Sequence, residues 1–190
     1  MTDIGITGHR SLPDIHLVAS QVDHVLAKIK CKFNGPYQLY SSLAEGADRL
    51  VARRALDLLE AELIVPLPLR REDLLADSSE DSRSEFFELL ALAQQVIELP
   101  PGSTPVEAYE SAGRFILDHI DVLIALWDGK PPRGPGGTGQ MVAEARARGL
   151  PLAWIHAGDR LPGTGIPNFL GPTQGNVTFE GFPWSGRKTE

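Results

Sequence analysis

Hydrophobic and polar positions alternate along this chain with two periods, and each change of period marks an element. Ile4-Gly5-Ile6-Thr7 is a short apolar run that reads as a first strand, left by the turn Gly8-His9-Arg10. Ser11 and Asp14 stand three apart with Pro13 just inside, a helix-start pattern. Ile15, Val18, Val22, Val25 and Ile29 then recur at helical spacing, and Asn34-Gly35-Pro36 stops the helix. Gln38-Leu39-Tyr40-Ser41 reads as a second strand. Gly46-Ala47-Asp48 opens a second helix with apolar positions Leu50, Val51, Ala55, Leu58 and Leu59, and Leu63-Ile64-Val65 is a third strand, cut by Pro66 and Pro68.

From Arg70 to Glu85 the chain is charged and rich in Asp, Glu and Ser, a composition expected to leave it partly mobile. Phe86, Phe87 and Leu90 mark another helix, and Val96 to Leu99 a fourth strand ended by Pro100-Pro101-Gly102. Val106, Tyr109, Gly113, Ile116 and Ile120 mark a helix that leads into the main strand at 121–127. Thr138 to Arg148 is a short helix with Gly149 as its stop, and Leu152 to Ile155 the last core strand. Strands separated by single helices predict an α/β fold, a three-layer αβα sandwich around a mostly parallel sheet of about six strands. Residues 1–156 form that domain. Residues 157–190, dense in Gly and Pro, read as surface loop or one added edge strand of the same domain.

The chain has 190 residues, long enough for one good core. A formal charge of −7 would on average repel a nucleic-acid backbone or an anionic membrane, so neither is expected as a partner. A local basic pocket stays compatible with that average. Cys31 is the single cysteine, which excludes an internal disulfide and a cysteine-based metal cluster. No zinc-ligand cluster is seen and no metal site is expected. The start of the chain carries no basic-then-apolar signal and no apolar run approaches a membrane span, so the cytoplasm is the default.

In a parallel sheet the strand C-termini share one edge, and ligands bind there where the strand order reverses. The polar motifs fall on the loops delivered to that edge. The main strand breaks into Asp128-Gly129 and then Gly134-Pro135-Gly136-Gly137-Thr138-Gly139 before the next helix. Bare amides of a glycine loop and the positive end of the following helix favour an anion; a loose loop is the plainer alternative. Gly8 permits close backbone approach and Arg10 could clamp a phosphate. His9 is a ligand contact, a proton carrier or only a backbone anchor. Ser42, Ala44 and Gly46 would set a hydroxyl and amides at a second helix start. Glu45 would take ribose hydroxyls, while Asp48 could equally cap its own helix. Arg49, Arg53 and Arg54 read as exposed cations. Tyr109 serves the core or stacks on a base, and Arg114 wants an acidic side chain or an anionic ligand. Lys130 and Arg133 would form a cationic arm over the glycine loop, or a solvated loop.

Ile6-Thr7-Gly8-His9-Arg10, Ser42 through Arg49, Glu107 through Arg114 and Trp127-Asp128-Gly129-Lys130 through Thr138 together resemble one branch of the SLOG superfamily. This is the Rossmann-like group that includes the LOG phosphoribohydrolases and the nucleotide-binding domain of DprA. The resemblance runs from about residue 3 to about residue 156 and implies a nucleotide-derived ligand at glycine-rich helix N-termini. LOG enzymes carry a Pro-Gly-Gly-x-Gly-Thr-x-Glu-Glu run whose first glutamate is catalytic. Pro135 to Gly139 matches its start, but Gln140 replaces the threonine and Met141, Val142 and Ala143 follow. Glu144 lies two residues past the first glutamate, about 200° around a helix, and reads as solvated.

The expected activity is therefore binding of a nucleotide or nucleotide-derived small molecule, as a ligand-binding or sensor protein. The alternative is an N-glycosidic hydrolase or deoxyribosyltransferase, for which Asp128 would be the catalytic carboxylate. No cofactor beyond the nucleotide-like ligand is assigned, and a homo-oligomer is left open.

Overall fold

A computed structural model describes residues 1–74, 79–100, 102–132, 134–161 and 164–183. Seven strands form one sheet in the order β4-β3-β2-β1-β5-β6-β9. Six are parallel: β1 (Thr2–Gly8), β2 (Tyr37–Tyr40), β3 (Glu62–Leu67), β4 (Ala93–Glu98), β5 (Val122–Trp127) and β6 (Leu152–His156). The chain moves outward from β1 to β4, then returns to lay β5 against the other side of β1. That reversal opens a crevice between the C-terminal ends of β1 and β5.

β5 is buried along its whole length, which explains a strand with no polar residue. Val122, Ile124 and Leu126 join the core formed with α1 (Ile15–Lys32), α2 (Ala47–Leu59) and α4 (Glu80–Ala91). Leu123, Ala125 and Trp127 join the core of the other face, with α5 (Pro105–His119) and α6 (Thr138–Ala147). The two-residue period of the strand divides one apolar run between two helical layers.

Several boundaries differ from expectation for identifiable reasons. α1 begins at Ile15 because Asp14 is its N-cap, accepting from the Leu17 amide at 3.4 Å, while the Pro13 carbonyl is taken by Gln174 Nε2 at 3.1 Å. Ser11 caps nothing there. β3 runs through Pro66, since β2 pairs with it only as far as Ile64, and a strand flanked on one side tolerates a missing N–H. The charged stretch expected to be partly mobile is largely helical where described: α3 covers Arg71–Leu74, and α4 starts at an N-cap, Ser79, with Glu80 and Asp81 in its first turn. Residues 75–78 lie outside the described residues.

Beyond β6 the chain forms a small hairpin, β7 (Asp159–Arg160) with β8 (Pro167–Asn168), then a 3-10 turn and β9 (Val177–Glu180). β9 pairs antiparallel with β6 and is the seventh strand, which the sequence pattern left between loop and edge strand. Among the described residues no helix is long and apolar enough to cross a membrane.

Because Ile124 is fully buried in the strand that both layers share, Ile124→Ala should cost about 2–5 kcal/mol. Urea unfolding followed by circular dichroism checks this: the midpoint should fall while the slope stays unchanged.

Candidate functional site

A cavity of about 560 Å³ opens at the crevice between β1 and β5. Of the residues singled out from the sequence, Gly8, His9, Arg10, Ser42, Ala44, Asp128 and Gly136, Gly137, Thr138 and Gly139 stand in its wall. Glu45, Gly46, Gly129 and Arg114 do not. Apolar side chains, among them Ile6, Val106, Ile116 and Met141, line the rest.

The glycine loop ends in an α6 start that is open. Gly137 is the N-cap residue and supplies no side-chain hydrogen bond. Among the described residues the amides of Gly137, Thr138 and Gly139 have no acceptor, as the first amides of a helix do not. The loop itself is tied down by Gln140. Its Oε1 accepts from the Gly136 amide at 2.8 Å, and its Nε2 donates to Glu110 Oε1 at 2.8 Å and Glu144 Oε1 at 2.9 Å. Gln140 thus holds the loop to α5 from the position where LOG enzymes carry threonine. Val142, in the first glutamate position, is fully buried. Arg133 lies outside the described residues.

Glu144 is not merely solvated. It belongs to an ionic cluster on the outer face of α5 and α6, 3.3 Å from Arg114, which also reaches Glu110 at 2.9 Å. The partners that Arg114 wanted are these side chains. The Gln140 amide, against some burial, and the Arg114 and Arg148 cations hold the Glu144 carboxyl below its ordinary range.

The second helix start is arranged differently from the first. Gly46 takes φ 79°, and a Cβ there would collide with the Arg10 carbonyl, so the first turn packs straight onto α2. The Ala47 amide is spent on the His9 carbonyl at 3.1 Å. Glu45 accepts from Ser82 Oγ instead of facing the cavity. Arg49, expected to be exposed, is 4% exposed. Its Nε donates to the Leu43 carbonyl at 2.9 Å, and its Nη1 to the Ser82 carbonyl at 2.9 Å and Glu85 at 3.2 Å. This arginine fastens the loop to α4. It holds Leu43 at φ 55°, a left-handed conformation that costs a branched residue roughly 1–2 kcal/mol.

His9 lies between two carboxylates. Its Nε2 accepts from the Asp128 amide at 3.0 Å and lies 3.3 Å from Asp128 Oδ1; its Nδ1 is 3.8 Å from Asp159 Oδ2. Asp128 is 2% exposed at the side chain and accepts from the Lys130 amide at 3.1 Å. Burial pushes its carboxyl up, but the hydrogen bond from the Lys130 amide, with the nearby His9 ring and Lys130 cation, outweighs this and holds it below the usual range. Arg10 lies over the Tyr109 ring at 5.2 Å, so Tyr109 faces the cavity beneath a cation. Asp159 and Arg160 enter the wall from the hairpin after β6. No periodicity or motif in the Gly/Pro-rich tail signals them. Among the described residues no group of three His, Cys, Asp or Glu side chains could hold a metal ion.

Asp48, at the first turn of α2, is buried in the cavity wall and accepts from Ser41 Oγ at 3.3 Å. Burial pushes its carboxyl up to about 7, although hydrogen bonds from Ser41, Ala44 and Ser42 and the Arg10 charge oppose the rise. An acid whose folded pKa lies above its unfolded value stabilises the fold relatively at low pH and loses that contribution as pH rises from about 4 to about 7. Stability measured by urea unfolding should decline over this window, and Asp48→Asn should flatten that slope.

No protein-family model matches the chain, and no curated protein matches it. Solved structures do. DNA processing protein A (DprA) from Streptococcus pneumoniae superposes with TM-score 0.53 at 17% identity, over 80% of this chain and 49% of that one. DNA processing protein A from Helicobacter pylori, described by its unique single-stranded DNA binding mode, superposes with TM-score 0.50 at 15% identity, over 80% of this chain and 63% of that one. The chain thus spans about half the length of the first and less than two thirds of the second. One expectation is corrected here. The absence of a nucleic-acid partner, expected from the chain's net charge, does not follow for this fold, since the Helicobacter pylori protein that shares it binds single-stranded DNA. Physically, a phosphate chain senses the local field, and the cavity here carries Arg10, Lys130 and Arg160. The likeness shows the fold: a Rossmann-like, mostly parallel sheet with helices on both faces.

Proposed function

We propose that this protein binds a nucleotide or nucleotide-derived small molecule at the C-terminal edge of the sheet, as a ligand-binding or sensor protein. The phosphate sits at the start of α6, with Arg10 of the first turn beside it. The observation that carries this reading is the uncapped N-terminus of α6, whose amides at Gly137, Thr138 and Gly139 line the cavity at the strand-order reversal. The Tyr109 ring under Arg10 holds that cation in the cavity wall, where it can meet the anion.

Glycosidic cleavage is the second reading, and one observation favours it. Asp128 lines the cavity, and its carboxyl is held ionised beside His9. Such a carboxylate can stabilise oxocarbenium character at an anomeric carbon. Against it stand the 2% exposure of Asp128 and a buried Val142 in the place of the LOG glutamate. Incubation with nucleoside monophosphates followed by chromatography separates the readings: free base at an enzymatic rate, lost in Asp128→Asn, would establish the second.

Binding is tested by thermal unfolding with nucleoside mono- and diphosphates, with a single-stranded oligonucleotide as a parallel arm. A nucleotide at a hundred times its dissociation constant should stabilise the fold by about 2.7 kcal/mol. Gly137→Asp supplies the sharper control. Gly137 has φ −81° and ψ 161°, which any residue adopts, so an aspartate there would cap α6. The variant should keep its stability, gaining a few tenths of a kcal/mol at most, and lose nucleotide binding because its own carboxylate takes the anion's place. Undiminished affinity in that variant would remove the phosphate from α6.

A further inference from the structure

Arg160 stands in the cavity wall but comes from the hairpin after β6, beyond the stretch that carries the SLOG motifs. Acidic residues outnumber lysine and arginine by 25 to 18 in this chain, and Arg49, Arg54, Arg114, Arg146 and Arg148 each hold a carboxylate. The Arg160 guanidinium holds none, and it has no hydrogen-bond partner among the described residues. A free cation on a concave wall, in a chain with carboxylates to spare, is a group kept for an anion that is not part of the protein.

Its placement is fixed by the fold around it. The Ala157 amide donates to the Trp127 carbonyl at 3.1 Å, which ties the hairpin to the end of β5. Gln174 then clamps it: Oε1 accepts from the Gly158 amide at 3.0 Å, and Nε2 donates to the Pro13 carbonyl at 3.1 Å. A Cβ on Gly158 would collide with the Asn168 carbonyl, so the two arms of the hairpin touch. Asp159, the preceding residue, faces His9. Arg160 is therefore held on the β6 side of the cavity, on a different element from the amides of α6. The α6 amides suffice for one phosphate. The Arg160 guanidinium, on another element of the same wall, is then left for a second anionic group on the ligand.

We propose that Arg160 receives a second anionic group of the bound molecule, so that the ligand class is a nucleoside diphosphate or a longer phosphoanhydride. This rests on the nucleotide-binding reading above and deepens it. Isothermal titration of the full chain with the four nucleoside 5′-monophosphates and the four corresponding 5′-diphosphates tests it. At least one diphosphate should bind about tenfold more tightly than its monophosphate, the scale of one charge-assisted hydrogen bond. Arg160→Ala should erase that preference and leave the monophosphate affinity within about twofold; Arg160→Lys should keep part of it. Equal affinities in the unaltered protein, or an alanine variant that weakens both ligands alike, would overturn the assignment and leave nucleotide binding standing. If no mono- or diphosphate binds, the nucleotide reading falls and this inference falls with it.

Discussion

The structure depends on β5 being covered on both faces. A strand that supplies alternate residues to two helical layers must be apolar at every position, and Val122–Trp127 is. That burial sets β5 beside β1 while β2 to β4 lie on β1's other side. The reversal of direction parts the loops that leave β1 and β5, and the cavity lies in the gap. Polar chemistry begins where the apolar run ends, at Asp128 and at His9.

Two helix starts reach that cavity, and they are used in opposite ways. α2 is consumed by the protein: its first amide goes to the His9 carbonyl, and the buried Asp48 in the wall is bonded to Ser41. Arg49, through Leu43, Ser82 and Glu85, turns the loop before it into a rigid floor. α6 is left open, with its preceding loop steadied from outside by Gln140 and Glu110. Holding the loop from behind spares the amides in front. A preformed anion site needs both, because donors that must first be ordered cost binding energy.

The ionic groups divide along the same line. Arg114, Glu110 and Glu144 satisfy one another on the outer surface, where exposed pairs contribute little beyond keeping α5 and α6 in register. His9, Asp128 and Asp159 meet inside, where low exposure makes each charge matter to its neighbours. The average charge of the chain describes neither group, which is why it misjudged the partners this fold admits.

The sequence by itself determined the αβα architecture, a mostly parallel sheet and the glycine loop before α6. These are local signals: a two-residue or helical period, a proline, a run of glycines. Its resemblance to LOG enzymes also placed Val142 at the position of their first glutamate. Only the tertiary structure decided that Arg49 is buried, that Glu45 and Arg114 face away from the cavity, and that Asp159 and Arg160 close it. Those outcomes depend on contacts between residues 30 to 150 apart, such as Arg49 with Ser82 or His9 with Asp159. A charged side chain carries no mark in the sequence of which partner it will meet. That is settled by which helix packs behind it and by where the tail returns.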